Sequence, residues 1–344
     1  MSEGPTLSIC IPTYNRATYL EETLNNIVSE IQKMPEDQRG KIDLCISDNH
    51  STDGTKDVVR KIMDQSPVHV TFNVNAKNLG PDVNFINSVS LSNSDYVWLL
   101  GSDDKITDGG LTFLYNFLDT HQELDLIFLN KETFKSDGVT LIDSPYQSNK
   151  GNEIVFFTNP LQASLEVIYE AGLISILCFR RVKWESVTGF EKFLNSWYVH
   201  QYKFLSMLRD GSSSAWIRFP SIVAYRGGNE SVVNREVVLK RIGIMLHAFY
   251  SIPESVFGSH STEHRLITSK MIDLNFHSLN ILFDVSRVSI KQRLSLIKTF
   301  YKYCKSFSFF YIKILPFLII PIGSNGKFLF GISVDAVAKR FHRF

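Results

Sequence analysis

Two adjacent acids closely follow an apolar run in this chain of 344 residues. The run 96–100 is followed by Gly101, Ser102 and then the acids Asp103 and Asp104. Carboxylates at the end of a buried strand suit a divalent cation, because Mg²⁺ is usually held by one or two carboxylates together with substrate phosphates. An isolated pair of acids is also a common turn former. The other motifs of the chain must decide between a metal site and a turn.

Two further polar segments follow apolar runs nearer the N-terminus. The segment 12–16 lies behind the run 7–11, and the segment 47–54 ends the run 42–47. The first segment has no glycine, whereas a dinucleotide fingerprint needs glycines for close approach to a pyrophosphate, so a Rossmann oxidoreductase is not expected. It is either a simple helix entry or a surface whose backbone and Arg16 face a base and phosphates. In the second segment Asp48 could accept hydrogen bonds from a base or ribose, while 51–54 forms an ordinary helix cap.

The spacing of apolar residues predicts elements that would bring these segments together. Strands are predicted at 7–11, 42–47, 68–74, 95–100, 124–130 and 174–179, an extended stretch at 215–225, and helices at 17–31, 55–63, 82–91, 109–120, 196–208 and from 236 onward. Alternation of this kind predicts an α/β fold with a mainly parallel sheet covered by helices. Ligands of such sheets bind outside the carboxyl ends of the strands, so the polar segments should converge. The segment 131–159 is expected to be irregular and functional.

Composition bounds the class of protein and its partners. With 44% hydrophobic residues the chain can bury a large domain plus an appendage. A net charge of +1 gives no case for nucleic acid, but residues 285–344 hold eleven Lys and Arg against the single acid Asp335, which indicates a local anionic partner. The four cysteines show no metal or redox spacing, and no signal peptide is expected before the first strand. These features favour a cytoplasmic protein.

The motifs at 9–16, 47–54, 78–80 and 98–104, in this order and spacing, resemble glycosyltransferase family 2, which has the GT-A fold. The likeness covers about the first 115 residues. It implies that Asp103 holds Mg²⁺ or Mn²⁺ and that Asp104 lies at the donor sugar. Two departures imply a reduced metal site, because Gly101 replaces the first acid of the metal motif and Gly228 replaces a histidine ligand. The implied nucleotide-binding residues are Pro12, Thr13, Tyr14, Asn15, Arg16, Asp48, Asn78, Ser102 and Asp103.

Enzymes that this sequence resembles transfer a sugar from a nucleotide diphosphate donor with inversion. A general base removes the proton of the acceptor hydroxyl while a divalent cation stabilises the departing diphosphate. The register places His200 where the family has an aspartate base, and Glu191, after the Gly189-Phe190 pair, is the second candidate. A histidine suits this role because its pKa lies near neutrality. Alternatively, His200 orients the acceptor or caps its helix.

The apolar segment 306–322 is interrupted by Pro316 and Pro321 and falls short of the roughly 20 residues that a spanning helix needs. It is either a buried helix or, given its flanking basic residues, a monotopic element in an anionic membrane surface. Within the family the chain is most similar to the abequosyltransferase type of O-antigen enzymes, which use a CDP-dideoxyhexose. This likeness implies an undecaprenyl diphosphate-linked oligosaccharide acceptor and a peripheral location at the inner face of the bacterial inner membrane.

These inferences predict a GT-A catalytic domain at 1–232 and a helical C-terminal region at 233–344. Within the first, 1–115 would form the nucleotide-binding half and 116–232 the acceptor half. Two other functions could use the same crevice. A sugar-phosphate nucleotidyltransferase is disfavoured because no Gly-rich triphosphate loop is visible. A catalytically inactive sugar-binding protein is suggested by Gly101 and Gly228.

Overall fold

The computed structural model describes residues 4–144, 153–227, 235–276, 294 and 298–303. The chain forms two compact units, Met1–Ser231 and Val232–Phe344. Gly228 and the apolar segment 306–322 lie outside the described residues. None of the described helices is long and apolar enough to cross a membrane.

The first half of unit one alternates strands and helices. Its elements are β1 (Leu7–Thr13), α1 (Ala17–Lys33), α2 (Glu36–Arg39), β2 (Ile42–Asp48), α3 (Thr55–Met63), β3 (Val70–Val74), α4 (Pro81–Ser90), β4 (Tyr96–Leu99), β5 (Lys105–Ile106), α5 (Gly110–Thr120) and β6 (Leu126–Leu129). Helix α1 shows why the apolar spacing was informative, because Leu20, Leu24, Ile27 and Ile31 form its fully buried face.

The second half of unit one adds shorter elements. They are β7 (Lys131–Phe134), β8 (Leu141–Asp143), β9 (Ile154–Phe157), α6 (Pro160–Val167), β10 (Leu177–Arg180), α7 (Arg181–Ser186), α8 (Val199–Arg209), β11 (Ser214–Ile217) and β12 (Val223–Arg226). Short 3₁₀ turns at Ile174–Ile176 and Phe190–Phe193 precede β10 and α8 respectively.

The main sheet has eight strands in the order β3-β2-β1-β4-β10-β6-β11-β9. The β1–β2, β2–β3, β1–β4 and β6–β11 pairs are parallel, and β10 and β9 run antiparallel to their neighbours. The mainly parallel α/β fold predicted from the sequence is therefore confirmed. The chain proceeds from β1 to β2 and β3 on one side and then to β4 on the other, which makes the gap beyond β1 and β4 a topological switch point.

A second sheet has four strands in the order β5-β12-β7-β8. Its first strand, β5, starts at Lys105, directly after the two acids in the sequence. The expectation that residues 131–159 are irregular is wrong, since β7, β8 and β9 fall within this stretch. Strand β7 pairs with β12, and β9 pairs with β11. Both partners lie more than fifty residues farther along the chain, so no local pattern could reveal the pairing.

Unit two contains helices α9 (Arg235–Phe257) and α10 (Thr262–Phe276). The two helices pack together. Their fully or nearly fully buried residues include Leu246, Phe249, Ile252, Ile267 and Met271. The helical pattern predicted from residue 236 onward matches these two elements.

Candidate functional site

The loops after β1 and β2 form one connected surface at the switch point. Asn15 lies in the left-handed region with φ 50°. Its backbone N–H donates to Ser51 Oγ at 2.8 Å, and its side-chain oxygen accepts from the Thr52 N–H at 2.9 Å. The Ala17 N–H donates to a carboxylate oxygen of Asp53 at 3.0 Å, which ties the start of α1 to the second loop. The two segments singled out in the sequence therefore act as one structural piece.

The predicted nucleotide residues of the first loop differ in accessibility. Pro12 and Thr13 are buried as the last residues of β1, whereas Tyr14, Asn15 and Arg16 are exposed. Tyr14 is 42% exposed, and its ring can offer a stacking face to a ligand. The exposed side chains therefore belong to the part of the loop that leaves the sheet.

Asp48 is completely buried at the end of β2. Its carboxylate accepts from the Ser51 N–H at 3.0 and 3.2 Å and from the Ser51 hydroxyl at 2.5 Å. The carboxylate of Asp48 thus stabilises the turn at Ser51, and the Ser51 hydroxyl oxygen holds the backbone of Asn15. Its predicted contact with a base or ribose stays a prediction.

A network of asparagine amides joins the β2 loop to the loop before α4. Asn49 donates to Asn78 Oδ1 at 2.9 Å and to the Gly80 carbonyl at 3.1 Å, and it accepts from the Leu79 N–H at 2.9 Å. Asn75 donates to Asn49 Oδ1 at 3.1 Å. Asn78, predicted to bind nucleotide, therefore serves at least to fix this loop. Sequence reasoning missed Asn49 and Asn75, whose only signal was the density of asparagines after two strands.

The loop 101–104, here called the acid loop, places the carboxylates of Asp103 and Asp104 in different environments. Asp103 has a side chain that is 31% exposed and lies with Oδ2 3.4 Å from Arg16 Nη1. Ser102 is buried, and its carbonyl accepts from the Thr23 hydroxyl of α1 at 3.2 Å. The same hydroxyl donates to the Asp104 carbonyl at 2.9 Å. Helix α1 thereby holds the loop so that Asp103 and Arg16 face each other.

Asp104 is buried rather than exposed. One carboxylate oxygen accepts from the Arg226 N–H at 3.0 Å, and the other accepts from the Ser175 hydroxyl. Burial, together with the neighbouring charge of Asp103, raises the pKa of Asp104 to about 7, while both hydrogen bonds act against the shift. The side chain predicted to lie at the donor sugar thus joins β12 and the 3₁₀ turn before β10 to the acid loop.

Gly101 lies against the Asp104 carboxylate. A Cβ atom at position 101 would lie 2.8 Å from Asp104 Oδ2 and 3.2 Å from Ser175 Oγ. The Gly101 N–H also donates to Ser175 Oγ at 2.9 Å. The space that a first acid would need is therefore already filled by the carboxylate of Asp104, so the loss of that acid and the burial of Asp104 are one feature.

We expect Gly101→Asp, which restores an acid at the first position of the metal motif, to lower stability and activity. It would press a side chain against a buried carboxylate, and overpacking of this kind costs about 1–3 kcal/mol. Thermal unfolding should show a lowered Tm for Gly101→Asp and for Gly101→Ala. Gly40→Ala is the control, because nothing lies within 4 Å of a Cβ placed there. A Gly101→Asp protein with unchanged Tm and higher activity would contradict this account of the loop.

The described residues contain no cluster of three or more histidine, cysteine or acidic side chains that could hold a metal ion. They do offer the partly exposed carboxylate of Asp103. This fits a hard divalent cation whose other positions are filled by phosphate oxygens and water, since Mg²⁺ is commonly held in this way. It does not fit a closed cage made by protein alone.

The two candidate bases occupy different environments. His200, in the first turn of α8, is 1% exposed, and neither ring nitrogen makes a hydrogen bond within the described residues. Phe85 packs edge-on against its ring with the centroids 5.9 Å apart. Burial is the main cause that lowers the pKa of His200 to about 4, and the backbone of Ala171 and Gly172 acts in the other direction. Glu191 lies exposed on the 3₁₀ turn Phe190–Phe193.

The structure thus unites one group of predicted residues and leaves another apart. Pro12 to Arg16, Asp48, Ser102 and Asp103 meet at the switch point. No hydrogen bond or ion pair of the described chain joins His200 or Glu191 to Asp103. Sequence reasoning did not identify Ser175 and Thr23, which hold the acid loop, because both come from distant elements.

A family model described as Glycosyl transferase family 2 matches residues 8–160. Abequosyltransferase RfbV of Salmonella typhimurium is 34% identical over 239 residues, which are 65% of this chain and 68% of that protein. The GalNAc(5)-diNAcBac-PP-undecaprenol beta-1,3-glucosyltransferase of Campylobacter jejuni is 31% identical over 111 residues, 32% of this chain and 33% of that protein.

Two solved structures share the fold at 15% identity. S. aureus TarS 1–349 in complex with UDP superposes with a TM-score of 0.61 over 88% of this chain and 81% of that one. Mannosyltransferase PcManGT from Pyrobaculum calidifontis, in complex with GDP-Man and Mn²⁺, superposes with a TM-score of 0.54 over 92% and 86%.

Proposed function

This chain belongs to glycosyl transferase family 2 and is a glycosyltransferase, and from that premise we propose that it moves a sugar with inversion from a nucleotide diphosphate donor to a lipid-linked oligosaccharide. The observation that carries the donor assignment is the pairing of Arg16 with Asp103 across the switch point. A cationic and an anionic side chain at the carboxyl ends of parallel strands suit a diphosphate and the cation that accompanies it.

The donor is bound by the connected loops. Arg16 would contact the diphosphate, because a guanidinium recognises phosphate oxygens through several N–H donors. Tyr14 offers its exposed ring to the base, and the backbone around Pro12 and Thr13 shapes the pocket. Asp48, Asn78 and Ser102 hold the loops at its floor through the hydrogen bonds already described.

Asp103 would hold Mg²⁺ or Mn²⁺. A divalent cation there supplies charge neutralisation for the departing diphosphate. Asp103 brings one carboxylate to this role, and Arg16 adds a fixed positive charge beside it. Asp104 keeps the loop in shape below them and, through it, the position of the donor sugar.

His200 is the proposed general base. Burial keeps the imidazole neutral near pH 7, the form that can accept a proton, but a pKa of about 4 makes it a weak base, so the role requires that the bound acceptor raise this pKa. Glu191 is the exposed alternative, on the 3₁₀ turn Phe190–Phe193 that precedes α8. Substitution of each residue decides between them.

The donor and acceptor follow from the relatives. Similarity to an abequosyltransferase supports CDP-abequose or a related CDP-dideoxyhexose as the donor. Similarity to an enzyme named for an undecaprenol-linked glycan supports an undecaprenyl diphosphate-linked acceptor, and hence a role in O-antigen or other surface polysaccharide synthesis. Such an acceptor is presented at a membrane, so we propose peripheral binding to the anionic inner face of the bacterial inner membrane.

A thermal-shift screen tests the donor site. We expect CDP with Mn²⁺ to raise the Tm more than UDP, GDP or dTDP, and the nucleotide alone to act weakly. A ligand at 100 times its Kd stabilises the native state by about 2.7 kcal/mol, which corresponds to a rise of roughly 5 °C for a domain of this size. A larger response to another diphosphate would replace cytidine as the base. No response to any of them would contradict the donor site.

A further inference from the structure

The backbone N–H groups at the start of helix α8 donate hydrogen bonds to a side chain of another helix. No side chain of its own caps it. Instead Asp82, in the first turn of α4 and 1% exposed, accepts from the Trp197 N–H at 2.7 Å and from the Val199 N–H at 3.1 Å. The first N–H groups of a helix lack partners within the helix, and a carboxylate is a favourable acceptor for them. Asp82 therefore caps α8 from a distance of 117 residues in the sequence.

The segment that leads into α8 is held in an unfavourable backbone shape. Asn195 and Trp197 have φ values of 77° and 66°. Non-glycine residues rarely adopt the left-handed region, because it brings Cβ too close to the backbone, and it persists only where the surroundings enforce it. The two hydrogen bonds to Asp82 are made by Trp197 and by the residue two positions later. They are therefore placed to stabilise this shape.

Helix α4, which carries Asp82, also contacts the ends of β1 and β2. The segments 12–16 and 47–54 at these two strand ends are called the donor loops. The Asn84 amide donates to the Thr13 carbonyl at 3.2 Å and to the Ser47 carbonyl at 3.0 Å. Phe85, one residue on, packs against the ring of His200. Within one turn, α4 thus touches the ends of β1 and β2 and the beginning of α8.

We propose that Asp82 is a positioning residue that fixes the start of α8, and with it His200, relative to the donor loops. The proposal rests on the proposed function for its catalytic meaning, because it assigns α8 to the acceptor side of the reaction. Asp82 acts through backbone N–H groups and does not contact substrate.

Asp82→Asn tests the proposal with little change of volume. The amide keeps one acceptor oxygen but turns an NH₂ group toward a backbone N–H, so one of the two hydrogen bonds is lost. Hydrogen exchange followed by mass spectrometry should show exchange about tenfold faster in peptides covering 195–200, as expected for loss of a charge-assisted bond. Peptides covering β1 and β2 should not change. Asp57→Asn is the control, since that carboxylate is exposed and, within the described residues, pairs only with Arg60 one turn away.

Kinetics supplies the second readout. We expect Asp82→Asn to lower kcat about tenfold or more with the donor KM unchanged, because misplacement of a reacting group by a fraction of an ångström is costly. The diphosphate-induced rise in Tm should be retained, which shows that the variant is folded. Unchanged exchange at 195–200, or faster exchange with unchanged kcat, would overturn the proposal. If the wild-type protein transfers no sugar, the proposed function fails separately, and the exchange result still decides whether Asp82 holds α8.

Discussion

Replacing Asp103 by Asn should lower sugar transfer about a thousandfold. Removal of one preorganised electrostatic contact to a developing charge costs 10²–10³ in kcat, and here the lost carboxylate is the partly exposed one that the acid loop presents. Asp104 cannot take over, because both of its oxygens already accept hydrogen bonds from Ser175 and Arg226. The measurement is the rate of nucleotide diphosphate release with saturating donor, acceptor and Mn²⁺.

The fold should survive this change. The ion pair with Arg16 is exposed at a separation of 3.4 Å, and such pairs contribute at most about 1 kcal/mol. Asp108→Asn is a matched control five positions later, because its side chain is 92% exposed and pairs with Lys33 outside the crevice. We expect Asp108→Asn to keep full activity and Asp103→Asn to lose both activity and the Mn²⁺-dependent rise in Tm. Full activity of Asp103→Asn would contradict the assignment of Asp103 as the metal ligand.

The elements that could be predicted are those whose partners are close in sequence. Helix α3 begins and ends at the predicted residues, Thr55 and Met63, because a cap-forming turn precedes a clean apolar stripe. Strands β1 and β2 were equally clear because both faces of each are buried. The strands of the segment 131–159 were not predicted. Strands β9 and β7 acquire strand structure by pairing with the distant β11 and β12, and β8 pairs with β7.

The candidate site divides in the same way. Position along the strands was enough to predict that Arg16, Asp48 and Asp103 meet, because parallel strands deliver their carboxyl ends to one edge. It could not show that Asp104 turns inward to Ser175 and Arg226, since these partners lie 71 and 122 residues away. From the sequence alone, Gly101 is interpreted as the loss of a metal ligand. In the structure its lack of a side chain leaves room for the neighbouring carboxylate.

Replacing His200 by Gln should lower kcat by 10² or more while Glu191→Gln leaves it nearly unchanged. General base catalysis contributes about 10²–10⁴ in rate, and glutamine cannot accept the proton. If the roles are reversed, Glu191→Gln will carry the loss and His200→Gln will retain activity. The donor KM should stay the same in both variants, because neither residue contacts the donor loops through a hydrogen bond or ion pair in the described chain.

The pH dependence of stability gives a test of His200 that does not need an acceptor. Its pKa falls from an ordinary 6.5 to about 4 in the folded protein, so between these values the unfolded chain binds a proton that the native state does not. Native stability must therefore decrease as the pH falls from 6.5 toward 4, by about 3 kcal/mol for this group, and His200→Gln should lack that decrease. Asp104 has the opposite sign, since its raised pKa makes stability decrease as the pH rises from about 4 to 7, but it is present in both proteins and cancels in their difference. Denaturant unfolding of the two proteins at pH 4.5, 5.5 and 7 measures this difference. Parallel curves would mean that the imidazole is protonated as readily in the native state as in the unfolded one, and would contradict its burial as a neutral group.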